Sequence, residues 1–348
     1  MATAGLLVPA ALSACATGGS RSAFDDWRRD FEADVPTRMK KSGIAGLAVA
    51  IVPKHSASRY TAAFGLADVK SGRPMTVDTP VHLASVSKLF TASALVQLFD
   101  ERGHDLDDDV NRFIDFTVKN PHHPQDPITA RQLVTHTSSI SDEGYENQYE
   151  TAGTGDPTQS LSSFLRDLLS EGGTTYTPMD TFLRGKPGSE WSYSNVGVAL
   201  AGHVVERVSG RPFAAYVQDQ VLGPLGIHNA RWYLREFASD VLATPYSYEK
   251  GEFVELPQEG YRDVPAGMLR CSVADLATSL RAMQGGGETA ILSPRAVTAM
   301  LDRQVDPSIV HYQGLGWTEE TIDGAALVGH SGVDVGATNM VVLTEDRR

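Results

Sequence analysis

"HLASVSKLFTASALVQLF", residues 82–99, decides how this chain is read. From Leu83 to Phe99 the single formal charge is Lys88. A segment apolar nearly all round forms a helix buried on most sides. Helical steps from Ser85 place Lys88, Leu89, Ala92, Val96 and Phe99 on one stripe. A lysine on the stripe that should face the core, one turn after a serine, requires a chemical reason.

Around this helix, expected at about 85–102 and ending near Gly103, the chain divides by pattern. Residues 44–52 read as a buried strand and 58–66 as its hairpin partner. A short helix is expected between Asp126 and His136, with Thr129 as N-cap. Residues 141–160 are acidic and aperiodic, a long loop of the kind that forms functional lids. Helical patterns recur at about 160–170, 197–209, 212–222, 272–284 and 294–302. Pro212 fits a first helical turn, and Ser272 with Asp275 resembles a capping box. Three strands are expected at 314–320, 325–331 and 338–344. Strands at both ends with helices between predict an α/β (α+β) protein: an antiparallel β-sheet flanked by helices, carrying an inserted, mostly helical domain. The expected boundaries are 23–80 with 260–348 for the sheet domain and 81–259 for the helical one.

The chain has 348 residues, enough to bury a substantial core. Acidic side chains outnumber basic ones 43 to 30 and no Lys/Arg cluster stands out, which argues against a nucleic-acid partner. The start, "MATAGLLVPAALSACATGGS", has an apolar run and then small residues before Cys15. It resembles a bacterial lipoprotein signal, with Cys15 lipidated and the protein exported to the periplasm or anchored at the membrane. No basic residue precedes the run; a cytoplasmic protein with a signal-free tail is the alternative. Residues 1–22 are set apart from fold reasoning. Cys271 then has no partner and reads as a small buried hydrophobe. No C-x-x-C or H-E-x-x-H occurs, so no metal or other cofactor is implied.

Three motifs carry chemistry. Ser85-Val86-Ser87-Lys88 is S-x-x-K, and i, i+3 on a helix lets the amine reach the hydroxyl. Withdrawal from water favours an uncharged amine, which can take a proton from serine. A serine at a helix start also has a free backbone N–H to offer an oxyanion. Tyr193-Ser194-Asn195 is Y-x-N: the phenol can relay protons, and the asparagine can orient the lysine and hold a carbonyl. His330-Ser331-Gly332 is H-x-G on an expected strand, where small residues let a substrate lie along the edge, and the Val333 N–H can supply a second oxyanion donor. Decoys occur too. Ser247–Lys250 repeats S-x-x-K in a turn-like stretch, Tyr145-Glu146-Asn147 repeats Y-x-N in the acidic loop, and Lys41–Gly43 and Lys70–Gly72 resemble a lysine form of H-x-G. All four read as chance.

S-x-x-K, then Y-x-N about a hundred residues on, then H-x-G near the end, resembles the serine β-lactamase and penicillin-binding-protein superfamily. The sequence looks most like its class C-related branch, which contains esterases, D-amino-acid peptidases and D-alanyl-D-alanine carboxypeptidases. "RQLVTHTSSI", "VLGPLGIHNARW", "VPAGMLRCSVADLATSL" and "YQGLGW" agree, over about residues 35–344. The resemblance implies Ser85 as acylated nucleophile, Lys88 and Tyr193 as base system, and Asn195 positioning the carbonyl. It also implies the Ser85 and Val333 N–H groups as oxyanion hole, with His330, Ser331 and Gly332 along the substrate edge. It implies a small-molecule ester, amide or D-peptide substrate and no cofactor. A non-hydrolytic binding or sensor protein on the same fold is the alternative of another class. An α/β-hydrolase is disfavoured, because no G-x-S-x-G occurs.

Two departures shape the expectations. His330 stands where antibiotic-binding members carry lysine, and a neutral imidazole is a poor partner for a carboxylate; that shifts the expected substrate toward esters. The family also runs on beyond the strand at 338–344, so the final sheet strand and C-terminal helix are expected to be missing from this sequence. His136 is expected buried under the cleft, Trp191 and Trp317 as core or cleft wall, and His122-His123 in exposed loop.

Overall fold

The computed structural model describes residues 21–53, 59–146, 155–283 and 290–344. Helix α1 (Arg21–Ser42) leads into strands β1 (Gly46–Ile51), β2 (Tyr60–Asp68) and β3 (Arg73–Pro74). Strand β4 (Val81–His82) and a 3₁₀ turn (Ala84–Val86) deliver helix α2 (Ser87–Arg102). The helices α3 (Ala130–Val134), α4 (Glu143–Glu146), α5 (Leu161–Leu169), α6 (Pro178–Thr181), α7 (Asn195–Ser209) and α8 (Phe213–Val217) follow. Next come the hairpin β5 (Tyr246–Glu249) and β6 (Glu252–Glu255), α9 (Val264–Gly267), β7 (Arg270–Cys271), α10 (Val273–Met283) and α11 (Pro294–Leu301). Strands β8 (Thr318–Ile322), β9 (Ala325–Asp334) and β10 (Ala337–Leu343) close the described chain.

Every residue of α2 from Ser87 to Phe99 is buried, as an apolar segment demands. Full burial of Leu95, Leu98 or Phe99 contributes about 1.5–3 kcal/mol each. Gly103, at φ 68°, ends the helix in the left-handed region that glycine enters without strain. Helix α7 packs against α2. It starts on Ser194, whose hydroxyl accepts from the Gly197 N–H at 2.9 Å, and stops on Gly210.

The strands are antiparallel and come from both ends of the chain. Six of them form two three-stranded sheets, β1–β2–β3 and β10–β9–β8, and the others pair as β4–β7 and β5–β6. In the second sheet His330 faces Val341 and Gly332 faces Asn339 across β9 and β10. Among the described residues no strand pairing joins the two sheets.

Several elements differ from expectation for identifiable reasons. Helix α1 was not legible as a helix; half its residues are charged, and its few aromatics do the docking. Trp27 packs edge-on against Tyr60 at 5.8 Å and Phe31 against Phe64 at 6.1 Å, both on β2. The stretch 212–222 splits, with Pro212 as N-cap rather than in the first turn and a π-helical segment over Gln218–Leu222. Ser247–Lys250 lies on the β5–β6 hairpin, whose turn holds Lys250 at φ 52° and Gly251 at φ 93°. Strand β8 begins at Thr318, not 314, because Gly316 at φ 79° turns the chain against α2. A Cβ there would sit 2.6 Å from that of Ala92. Cys15 lies outside the described residues.

Candidate active site

Ser85 occupies the 3₁₀ turn before α2, and Lys88 lies in the helix's first turn. Ala84 just before the serine sits at φ 49°, a left-handed conformation that costs an alanine about 1 kcal/mol. Lys88 is 1% exposed. Its Nζ lies 3.0 Å from Ser85 Oγ, 2.7 Å from Asn195 Oδ1 and 2.7 Å from the carbonyl oxygen of Ala266 in α9. The last two atoms can only accept. The amine therefore donates to both of them, with the serine hydroxyl as its third neighbour. This answers why a lysine faces the interior: its stem packs in the core and its tip is held by three partners.

Tyr193 lies beside that amine, with Lys88 Nζ 4.9 Å from the ring centroid. The His136 ring stacks on Tyr193, with the ring centroids 4.4 Å apart. His136 also clamps the backbone on both sides of the tyrosine: Nδ1 accepts from Ser194 N–H at 3.1 Å and its carbonyl accepts from Ser192 N–H at 2.8 Å. The price of this position is a φ of 58° at His136 itself. The Tyr193 hydroxyl has no hydrogen-bond partner among the described residues. Asn195 is aimed by Asp142, a carboxylate 8% exposed, which the sequence reading missed. Its Oδ2 accepts from Asn195 N–H at 2.7 Å, and its Oδ1 from Val196 N–H and Ser194 Oγ, each at 3.0 Å. Those donors open α7, where a carboxylate is favoured by the helix dipole and the free N–H groups.

On β9 the H-x-G residues reach the same place. Gly332 passes so close to the turn before α2 that a Cβ would lie 2.3 Å from the Leu83 carbonyl oxygen and 3.1 Å from Ser85 N. The Ser331 N–H points away from β10, to Glu320 Oε1 at 2.6 Å. Strand alternation gives the Val333 N–H, two residues on, the same direction. His330 is 3% exposed; its Nδ1–H donates to the Ser331 carbonyl at 2.6 Å. Burial first, and Lys88 second, push the imidazole down to about 4, so it is neutral near pH 7. Ser85, Tyr193, His330 and Ser331 line a cleft of about 570 Å³, walled by Trp191, Tyr312 and Gln313.

The decoys fall elsewhere. Ser247 bonds Glu249 on the hairpin. Lys41–Gly43 ends α1, and Lys70–Gly72 is the turn from β2 to β3. Tyr145 is fully buried in α4 and donates to Asp263 Oδ1 at 2.9 Å, while Asn147 lies outside the described residues. Asp263 is a second missed carboxylate. Desolvation pushes it up to about 6, against the Tyr145 hydrogen bond and the charge of Lys88. Trp317 is buried core, and Trp191 is cleft wall with its Nε1–H on Gln313 Oε1 at 2.8 Å. His122 is exposed, and His123 is held on the Arg184 carbonyl at 2.9 Å.

An S-x-x-K serine and lysine in contact at the head of a buried helix, met by Y-x-N and H-x-G segments, define a β-lactamase-type serine site. The chain belongs to the Beta-lactamase family, whose model matches residues 31–348. It is 35% identical to esterase EstB of Burkholderia gladioli over 207 residues, 57% of this chain and 50% of that protein. It is 28% identical to penicillin-binding protein 4* of Bacillus subtilis over 204 residues, 58% of this chain and 42% of that one. The matches thus span about half the length of these relatives or less. Among solved structures, the octameric penicillin-binding protein homologue from Pyrococcus abyssi superposes with a TM-score of 0.73 at 25% identity, over 91% of this chain and 70% of that one.

Proposed function

We propose that this protein is a serine hydrolase that works through an acyl-enzyme on Ser85 and prefers esters. The observation that carries this is the triple anchoring of the dry Lys88 amine between Ser85, Asn195 and Ala266. Lys88 takes the hydroxyl proton as Ser85 Oγ attacks the carbonyl carbon. The N–H groups of Ser85 and Val333 receive the oxyanion. Tyr193, with its hydroxyl uncommitted, passes the proton to the leaving alkoxide. Water then attacks the acyl-enzyme, giving its proton to the same relay, and Ser85 is restored. Esters are favoured over carboxylate-bearing peptides and β-lactams because the neutral His330 supplies no positive charge in the cleft.

Two measurements test this. Ser85→Ala should abolish turnover of 4-nitrophenyl butyrate while the fold persists by circular dichroism; retained turnover removes the nucleophile. Intact mass after a fluorophosphonate should show one adduct, lost in that variant. A stoichiometric acyl burst with no steady state would instead mark a sensor on this fold. Export with lipidation at Cys15 is proposed on the sequence alone, and failure of that cysteine to take up labelled palmitate in a bacterial host would exclude it.

A further inference from the structure

The two N–H groups that would receive the oxyanion come from segments with no backbone pairing. Ser85 sits in the turn after β4, and Val333 sits on β9. Among the described residues no backbone hydrogen bond runs from β4 or that turn to β9 or β10. The close passage of Gly332 over the Leu83 carbonyl limits how near the two segments can come. It does not stop them parting. An oxyanion hole works only when both donors stay within about 2.7–3.1 Å of one oxygen. Another device must therefore hold β9 against the serine turn.

Side chains outside the cleft do this, and they form a closed ring. Asn339 of β10, directly opposite Gly332, donates its amide to the His82 carbonyl at 2.8 Å. His82 lies just upstream of the nucleophile, on β4. Asp334, next after Val333, accepts from the Tyr261 hydroxyl at 2.8 Å through Oδ1, and its Oδ2 lies 3.8 Å from His82 Nδ1. The Tyr261 hydroxyl also meets Glu259 Oε2. That segment is fastened to the buried Arg270, whose guanidinium donates to the Glu259 carbonyl at 2.6 Å. Arg270 in turn pairs with His82 across β7 and β4. The ring thus runs from His82 through Arg270 and Tyr261 to Asp334, and back to His82. The other ring nitrogen of His82 donates to the Gly267 carbonyl at 2.8 Å, beside the Ala266 carbonyl that holds Lys88. None of these side chains lines the cleft, so their effect passes through the backbone they hold.

We propose that Asn339, Asp334 and Tyr261 are positioning residues that set the gap between the Val333 and Ser85 N–H groups. This rests on the hydrolase reading and assigns residues that reading does not use. Cutting a link lets the end of β9 swing from the serine turn. The tetrahedral oxyanion is then held well by one donor and poorly by the other. The ground-state ester, whose carbonyl carries little charge, loses far less.

The test uses turnover of 4-nitrophenyl butyrate and inhibition by a trifluoromethyl pentyl ketone, whose serine adduct carries an oxyanion. Rates are expressed per serine titrated to completion with a fluorophosphonate, so unfolded protein does not count. Tyr261→Phe, Asn339→Ala and Asp334→Ala should each lower kcat about tenfold, with KM within about twofold, and weaken the ketone by the same factor. Asp334→Asn, which keeps an acceptor for Tyr261, should stay within about threefold of wild type. Tyr261→Phe combined with Asp334→Ala should be no slower than Asp334→Ala alone, because both cut the same link. Where a variant fails to fold, Tyr261→Phe, the smallest change, carries the test. Normal kcat per titrated serine overturns the proposal and leaves the hydrolase standing. So does a lower kcat with the ketone bound as tightly as before, or an Asp334→Asn as slow as Asp334→Ala. Wild type with neither turnover nor a serine adduct overturns both.

Discussion

Removing the Asp142 carboxylate should both destabilise the protein and loosen its active site. In Asp142→Ala the N–H groups of Asn195 and Val196 and the Ser194 hydroxyl lose a charged acceptor at 2.7–3.0 Å. Hydrogen bonds to a charged group contribute about 1.5–3 kcal/mol each. Relief from burying the carboxylate offsets part of this, leaving a net loss of about 4 kcal/mol. Unfolding entropy scales at about 2.1 cal/mol/K per residue, or about 0.7 kcal/mol per kelvin for a chain of 348 residues. The melting temperature should therefore fall by about 6 °C. Asn195, freed at its backbone, no longer holds Lys88 Nζ squarely, and a misplacement of that order costs about 100-fold in turnover. Thermal unfolding followed by circular dichroism, with 4-nitrophenyl butyrate turnover on the same samples, measures both. A melting point within 1 °C of wild type with turnover within about twofold would refute this account of how α7 is seated.

Three further outcomes are expected. Burial foremost holds His82 and His330 down to about 4, and His136 well below its ordinary value. The unfolded chain therefore binds more protons below about pH 6.5, so their stability contribution is full above that pH and is lost as pH falls toward about 4. Urea midpoints at pH 7 and pH 5 should show the loss; equal midpoints would contradict it. Asp263 works in the opposite sense: its carboxyl, raised to about 6 by desolvation, costs stability as pH climbs from about 4 to 6. Asp263→Asn keeps an acceptor for Tyr145 and should stabilise the protein at pH 8, by up to about 3 kcal/mol, with little gain at pH 4; a destabilised variant at pH 8 would show that the charge is needed for folding. Gly332→Ala should drive β9 off the Leu83 carbonyl, cutting ester turnover at least about 100-fold. Near-normal turnover would mean that the strand does not approach Ser85 this closely.

Local chemistry settled a good part of this protein before any coordinates. The unbroken apolar run with its one lysine specified α2, and Gly103 specified its end, because helical burial and left-handed glycine are properties of a few neighbouring residues. The three-residue step from Ser85 to Lys88 likewise encodes its own contact. The surrounding sequence already separated Ser85–Lys88, at the head of an apolar run, from Ser247–Lys250 in a turn-like stretch, and tertiary structure placed the second copy on the β5–β6 hairpin. It also supplied every partner from afar: the Ala266 carbonyl is 178 residues from Lys88, and Asp263 is 118 residues from the Tyr145 phenol. Asp142 shows no signal of its own, because a capping carboxylate delivered from another segment obeys no periodicity.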